Sequence, residues 1–103
     1  MAKKSKLESH FKEIVKRRLG VISGLYFFVK EALALRGIPD IIGCYKGHFF
    51  AWELKRSEAE AKKKSGRIVL QKYILSKINS AGGIGRIVYP ENLEESIREL
   101  LDL

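Results

Sequence analysis

The sequence contains few of the residues on which several familiar protein classes depend. A single cysteine, Cys44, rules out an internal disulfide and fits a reducing compartment. The two histidines, His10 and His48, lie far apart and have no Cys or His companions, which argues against a zinc site. No apolar run approaches the roughly 18 residues that span a bilayer, and the N-terminal stretch lacks the apolar segment of a secretory signal. We therefore expect a cytoplasmic protein that does not enter the membrane.

Acidic residues are also scarce in this chain. The 12 Asp and Glu residues stand against 20 Lys and Arg residues, which gives a net charge of +8. In one domain of 103 residues this excess favours a polyanionic partner, with nucleic acid first and an anionic membrane surface second. The hydrophobic share of 46% and the charged share of 31% are typical of a folded globular chain. We predict one domain over residues 1–103, with residues 1–4 as a flexible basic tail.

Apolar periodicity predicts an α/β domain with the element order α-β-β-β-α-β-α, in which helices flank a mixed β-sheet. Helices are predicted over residues 5–19, 67–81 and 91–101, and strands over residues 25–29, 38–45, 48–55 and 84–89. A tight Lys46-Gly47 turn joins the second and third strands into a hairpin. Residues 31–36 are predicted as a loop or a continuation of the first strand, and residues 56–66 as a mobile loop or a solvated helical turn.

Several apolar residues have an expected place in this arrangement. Cys44 lies within the second strand and is predicted to be a small packed core thiol. The aromatic residues Tyr26, Phe27 and Phe28 are expected in the core or at a dimer interface rather than stacked on bases. Leu70 belongs to the apolar stripe of the second helix and is expected to face inward.

Three charged residues interrupt the part of the sequence that looks most like core. Side chains in a strand alternate between faces, so Glu53 and Lys55 share the face opposite to Trp52. A hairpin through the Lys46-Gly47 turn brings Asp40 to the same end of the neighbouring strand. Two carboxylates a few Å apart repel unless they share a proton or a cation, and Mg²⁺ and Mn²⁺ prefer oxygen ligands. The alternative is a partly buried ion-pair network of the three residues without catalysis.

These residues resemble a known nuclease signature. Pro39-Asp40 followed by Glu53-Leu54-Lys55 is similar to the PD-(D/E)xK motif, and the Gly37-Ile-Pro-Asp context, the Trp-Glu-Leu-Lys stretch and Gln71 resemble the VRR-NUC family within that superfamily. The family includes small stand-alone virus-type nucleases. The resemblance covers most of the chain, from Glu8 to about Val88, and implies a restriction-endonuclease-like core.

The resemblance also implies a role for each matching residue. Asp40 and Glu53 would bind Mg²⁺ or Mn²⁺, with the backbone carbonyl of Leu54 as a further ligand. Lys55 would orient the attacking water or help to deprotonate it. Gln71 would contact the substrate or support the site.

The family usually adds an acidic residue from the first helix, and this chain offers Glu8 and Glu13. At about 100° per residue, Glu8 borders the apolar stripe of that helix while Glu13 faces solvent. Glu8 is therefore the predicted metal-site residue. The competing interpretation is a capping box with Ser5 at the start of the helix.

Basic residues provide candidate contacts to DNA. Lys30 ends the first strand, and Lys62, Lys63, Lys64 and Arg67 follow the predicted catalytic strand. Phosphate contacts of this kind supply affinity that does not depend on base sequence. A strand-end lysine and a plain solvated charge run are the alternatives.

The resemblance leads to a specific functional hypothesis. We expect a metal-dependent endodeoxyribonuclease that acts on branched DNA as a homodimer, with a Holliday junction resolvase as the favoured interpretation. A nuclease that nicks flaps or other branched DNA is the second choice, and a non-catalytic DNA-binding module on a degenerate nuclease fold is the third. No small-molecule cofactor beyond the metal is expected. A phage origin would place the protein in the host cytoplasm.

Overall fold

The computed structural model describes the backbone of residues 2–31 and 37–103, and the side chains of residues 8–31 and 37–103. In chain order the elements are α1 (Ala2–Gly20), β1 (Leu25–Val29), β2 (Ile41–Tyr45), β3 (His48–Leu54), α2 (Glu58–Ala61), α3 (Gly66–Ser80), β4 (Ile84–Val88), a 3₁₀ turn (Pro90–Asn92) and α4 (Leu93–Leu101). The predicted α/β class and the mixed sheet are confirmed. Residues 31–36 are predicted as a loop or a continuation of the first strand, and most of them lie outside the described residues.

The first helix is longer than its sequence pattern predicts. Helix α1 begins at Ala2 rather than at Ser5, and the expected flexibility of residues 1–4 stays a prediction. Ser5 lies inside the helix and is not its N-cap, and the predicted capping box with Glu8 is therefore wrong.

A two-residue turn sets the geometry of the β2–β3 hairpin. Lys46 and Gly47 have φ values of 50° and 81°, the left-handed conformation that a tight hairpin turn requires at both positions. The antiparallel register pairs Tyr45 with His48 and Ile41 with Trp52. Strand β2 begins at Ile41, later than predicted, because a turn occupies the residues that precede it.

The sheet has the order β1-β2-β3-β4, and its last pair is parallel. Helix α3 makes the crossover that a parallel pair requires. Ser65 caps this helix by accepting a hydrogen bond from the Ile68 amide at 3.2 Å. At the far end, Asn79 exchanges two hydrogen bonds with the backbone of Gly85, at 2.8 and 3.1 Å, and so ties α3 to β4.

The two faces of the sheet are covered unequally. One face carries Phe50 and Trp52 and packs against α1 and α4 to form the hydrophobic core, whose buried members are Phe11, Val15, Leu19, Ile41, Phe50, Trp52, Val88, Leu93, Ile97 and Leu100. Helix α3 packs on the other face, over β4 and β3. Among the described residues, no helix covers that face over β1 and β2. None of the helices in the described ranges is long and apolar enough to cross a membrane.

This unequal coverage overturns one prediction and removes one of the two alternatives in another. Cys44 is exposed rather than packed in the core, because the pleat of β2 directs it to the face that α3 leaves open. Tyr26 and Phe28 are 68% and 51% exposed, so they are not core residues, and their alternative place at a dimer interface stays a prediction. Phe27, which alternates with them on β1, packs against the core as predicted.

Gly85 provides a test of how closely α3 packs on the sheet. A Cβ atom at this position would lie 2.7 Å from the Leu75 carbonyl oxygen and 3.1 Å from its Cα. Both are backbone atoms that cannot rotate away. We expect Gly85→Ala to lower the free energy of unfolding by about 1–3 kcal/mol, measured by urea denaturation.

Gly20→Ala is the matched control, because a Cβ there would meet no atom within 4 Å. Its free energy of unfolding should stay within about 1 kcal/mol of the parent value. Equal stability of Gly85→Ala and the parent protein would contradict the close packing of α3.

Candidate active site

A row of charged residues crosses three strands on the face that α3 covers only in part. The backbone amide of Lys30 donates to the Asp40 carbonyl at 2.8 Å, which continues the β1–β2 ladder beyond its last pair. The β2–β3 register, extended by one pair beyond Ile41 and Trp52, places Asp40 opposite Glu53. Lys30, Asp40 and Glu53 therefore lie side by side, and the predicted meeting of the two carboxylates is confirmed.

A backbone contact fixes the Asp40 carboxylate. Its Oδ2 atom accepts a hydrogen bond from the Leu54 amide at 2.8 Å, one strand away. Hydrogen bonds to an ionised acceptor are stronger than those between neutral groups. Pro39 is buried directly before Asp40 and restricts the backbone that presents it. The Asp40 carboxylate is thus held over β3, beside Glu53.

Glu53 is the most perturbed acid of the site. Its side chain is buried, with 5% of the residue exposed, and it accepts a hydrogen bond from Nε2 of Gln71 at 3.1 Å. Burial raises the pKa of Glu53 to about 8, and the hydrogen bond and negative charge of Asp40 add to this effect. The positive charges of Lys55 and Lys30 oppose it and lower the pKa by less. At neutral pH the paired carboxyl groups therefore retain a proton.

Two lysines approach this pair from different strands. The Lys55 amide donates to the Val88 carbonyl at 2.9 Å, which fixes the backbone just beyond the end of β3. Lys30 donates from Nζ to the Ile38 carbonyl at 2.8 Å and so holds the segment that leads into Asp40. The structure therefore brings together Asp40, Glu53, Lys55 and Gln71, as the sequence predicts, and adds Lys30 to them.

Glu8 does not join this group. Glu8 is exposed, and α1 packs on the face of the sheet that carries Trp52, whereas Glu53 lies on the opposite face. Within residues 8–31 and 37–103, no three side chains of the His, Cys, Asp or Glu type lie close enough together to hold one metal ion. The proposed metal role of Glu8 therefore has no support from its position and stays a prediction.

The remaining donors suit a hard cation. Mg²⁺ keeps several waters and often binds to proteins through one or two carboxylates, which Asp40 and Glu53 can supply. Gln71 Oε1 is buried beside them and has no hydrogen-bond partner in the described structure. A buried oxygen without a donor and a proton-sharing carboxylate pair both gain from a nearby cation. The residues present thus fit Mg²⁺ or Mn²⁺. The Leu54 carbonyl, which the family resemblance adds as a ligand, stays a prediction.

The site opens into a cavity of about 540 Å³ between α3 and the segment before Asp40. Its lining combines charged, polar and apolar side chains, including Lys30, Ile38, Glu53, Arg67, Leu70 and Gln71. Leu70 was expected to face the core, yet it lies 46% exposed at this cavity. One clue is present in the sequence, because Leu70 directly precedes Gln71, a predicted site residue.

The basic residues predicted to contact DNA differ in their surroundings. Lys62 pairs with Glu58 at 2.8 Å and Lys63 pairs with the buried Glu60 at 2.8 Å. These partners lie on the short helix α2, and the Glu58–Lys62 spacing is a helical pair that the sequence could have revealed. Lys64 is exposed, and Arg67 lines the cavity. Part of the Lys62–Lys64 charge is therefore neutralised within the domain, and contact of these lysines with DNA stays a prediction.

The raised pKa of Glu53 predicts how stability depends on pH. The pKa of Glu53 is about 4.5 in the unfolded chain and about 8 in the folded chain, so the folded chain binds the Glu53 proton more tightly. The free energy of unfolding therefore falls as pH rises from about 4.5 to 8. Glu53→Gln removes the ionisation and keeps the side-chain shape. Without divalent metal, we expect the free energy of unfolding of the parent protein to fall as pH rises from about 5 to 9, while that of Glu53→Gln does not share this loss. The difference between the two proteins should therefore shift by about 2–5 kcal/mol in favour of Glu53→Gln, measured by urea denaturation.

Glu95→Gln serves as the control, because Glu95 is exposed on α4. Its stability relative to the parent protein should change by less than about 1 kcal/mol over the same pH range. Parallel pH profiles of Glu53→Gln and the parent protein would show that Glu53 ionises normally and would contradict the described pair.

Comparison of the chain with protein-family models, with curated proteins and with solved structures finds no match. The functional interpretation therefore rests on the residues of the site and their geometry.

Proposed function

We propose that this protein is a metal-dependent endonuclease that hydrolyses phosphodiester bonds in branched DNA. The observation that carries the proposal is the convergence of Asp40, Lys55 and Gln71 on Glu53, beside an open cavity that Glu53 and Gln71 line. Glu53, a buried acid in a cleft whose pKa is strongly raised, is for that reason a candidate functional residue. The resemblance to the PD-(D/E)xK motif and the order of the strands support a restriction-endonuclease-like core.

Each residue has a task that follows from its position. Asp40 and Glu53 would hold Mg²⁺ or Mn²⁺, with Asp40 oriented by the Leu54 amide and Glu53 by Gln71. When bound, the cation would offset the charge that develops on the phosphate and acidify a water molecule. Lys55 lies beside the carboxylates and orients the attacking water. Lys30, on the other side of Asp40, places a further positive charge where the phosphate enters.

The choice of branched DNA follows from charge and size. A net charge of +8 favours binding to the phosphate backbone, and 103 residues leave little surface for reading a base sequence. A twofold homodimer would double this surface and supply two active sites. Two sites related by twofold symmetry can nick a four-way junction in two strands, so a Holliday junction resolvase is the first choice. A nuclease for flaps or other branches is the second.

The competing function is a DNA-binding module without catalysis. The fully assembled set of Asp40, Glu53, Lys55 and Gln71 favours the enzyme, because a binding module has no need for a buried acid beside a second, half-buried one. The burial of Glu53 disfavours folding near pH 9, and a protein without metal chemistry gains nothing in return.

Cleavage of labelled DNA tests the proposal. We expect the purified protein to nick a four-way junction or a flap in Mg²⁺ or Mn²⁺ and to be inactive in EDTA. Asp40→Asn, Glu53→Gln and Lys55→Ala should each lower the rate by at least about 10²-fold, as the loss of one electrostatic contact at a reacting centre typically does.

Lys72→Ala is the matched control, since Lys72 is an exposed lysine of α3 outside the cavity lining. Its cleavage rate should stay within about threefold of the parent rate. Junction binding without cleavage in either metal would instead favour the non-catalytic module, and a folded Glu53→Gln variant with full activity would remove Glu53 from the mechanism.

A further inference from the structure

The cavity beside Glu53 has apolar walls that phosphodiester hydrolysis does not require. Ile38 and Leu70 line it and are 40% and 46% exposed, and Ile74 completes the apolar part of the lining. Its volume of about 540 Å³ lies within the range of pockets that bind small organic ligands, roughly 300–1,000 Å³. Such a pocket next to a phosphate-cleaving centre suits a flat apolar group attached to the phosphate chain.

Exposed aromatic side chains lead along the sheet towards this cavity. Tyr26 and Phe28 alternate with core residues on β1, so they share the face of Lys30, which lines the cavity. Strand β1 is an edge of the sheet, and the described helices leave this face of it open. Phe49, on β3, is aligned with Tyr26 across the intervening residue Cys44 of β2, and it is 44% exposed. The aromatic row defined by Tyr26 and Phe28 is thus continuous with the cavity.

Positive charge accompanies both apolar features. Lys30 and Arg67 lie at the cavity, and the whole chain carries a charge of +8. Aromatic side chains on which bases stack, combined with cations that track phosphates, are the typical surface for single-stranded nucleic acid. A second copy of this chain would fit the aromatic row but would bring the same excess of positive charge to it. Charge complementarity therefore favours a nucleic acid.

We propose that the site takes unpaired nucleotides at the branch point of its DNA. One base lies in the cavity between Ile38 and Leu70, and the neighbouring bases of the same strand stack on Phe28 and Tyr26. Bases within a duplex are paired and stacked on each other, so they cannot reach either surface without being extruded. The inference rests on the proposed nuclease function and specifies its substrate as a strand that is unpaired beside the cleaved bond. Within that function it favours a flap over a four-way junction, whose bases are paired.

Binding measured in EDTA tests this inference without relying on cleavage. Fluorescence anisotropy would compare a single strand, a flap and a linear duplex of equal length with the full-length protein. We expect Leu70→Ala and Phe28→Ala to weaken binding of the single strand and the flap about tenfold, as the loss of a stacking contact does, and to change duplex binding by less than twofold.

Val69→Ala is the matched control for Leu70→Ala, because Val69 is the preceding residue of α3, is 62% exposed and does not line the cavity. It should bind all three DNAs as the parent protein does. All the substituted residues are exposed, so urea denaturation should show intact folding for every variant.

The outcomes separate this inference from the nuclease proposal. If the protein cleaves branched DNA but Leu70→Ala and Phe28→Ala bind every DNA normally, the nuclease function stands and the inference is overturned. If these variants lose single-strand binding while the parent protein cleaves nothing, the inference stands and the nuclease function fails. If sedimentation shows that Phe28→Ala converts a dimer into a monomer, the aromatic row is an interface between protein copies, which also overturns the inference.

Discussion

The register of the β2–β3 hairpin is the constraint on which the site depends. The left-handed Lys46-Gly47 turn fixes it, and as a result Asp40 faces Glu53 across the two strands. A slip of one residue would move every side chain of β3 to the other face, so that Glu53 would enter the core and Trp52 would leave it. Fixing the turn therefore places an acidic pair on one face and the hydrophobic core on the other.

The pair of Asp40 and Glu53 destabilises the folded state rather than stabilising it. Burial and the neighbouring Asp40 raise the pKa of Glu53 to about 8, so its ionised form opposes folding. The surrounding contacts limit this cost, because Gln71 donates to Glu53 and the Leu54 amide donates to Asp40. Groups whose pKa values are strongly shifted by their surroundings are concentrated at functional sites.

The two faces of the sheet have different roles, one in the hydrophobic core and the other at the candidate site. One face is closed by α1 and α4 and supplies the core, whereas the other is covered only where α3 packs close to Gly85. This incomplete cover leaves room for the cavity and leaves Phe28 exposed. The basic segment after β3 contributes less free charge than its composition suggests, because Glu58 and Glu60 pair with two of its lysines.

The sequence by itself determined the strands, the hairpin and the face on which Glu53 lies, because turn chemistry and the period-2 alternation of a strand are local properties. It also identified Asp40, since a fixed hairpin register converts spacing along the chain into a position across the sheet. The sequence placed Gln71 at the site only through the family resemblance, and the tertiary structure decided that it donates to Glu53. The tertiary structure alone decided that Leu70 lines a cavity and that Cys44 is exposed. These outcomes depend on where the crossover helix comes to rest on the sheet, which packing between residues distant in sequence decides.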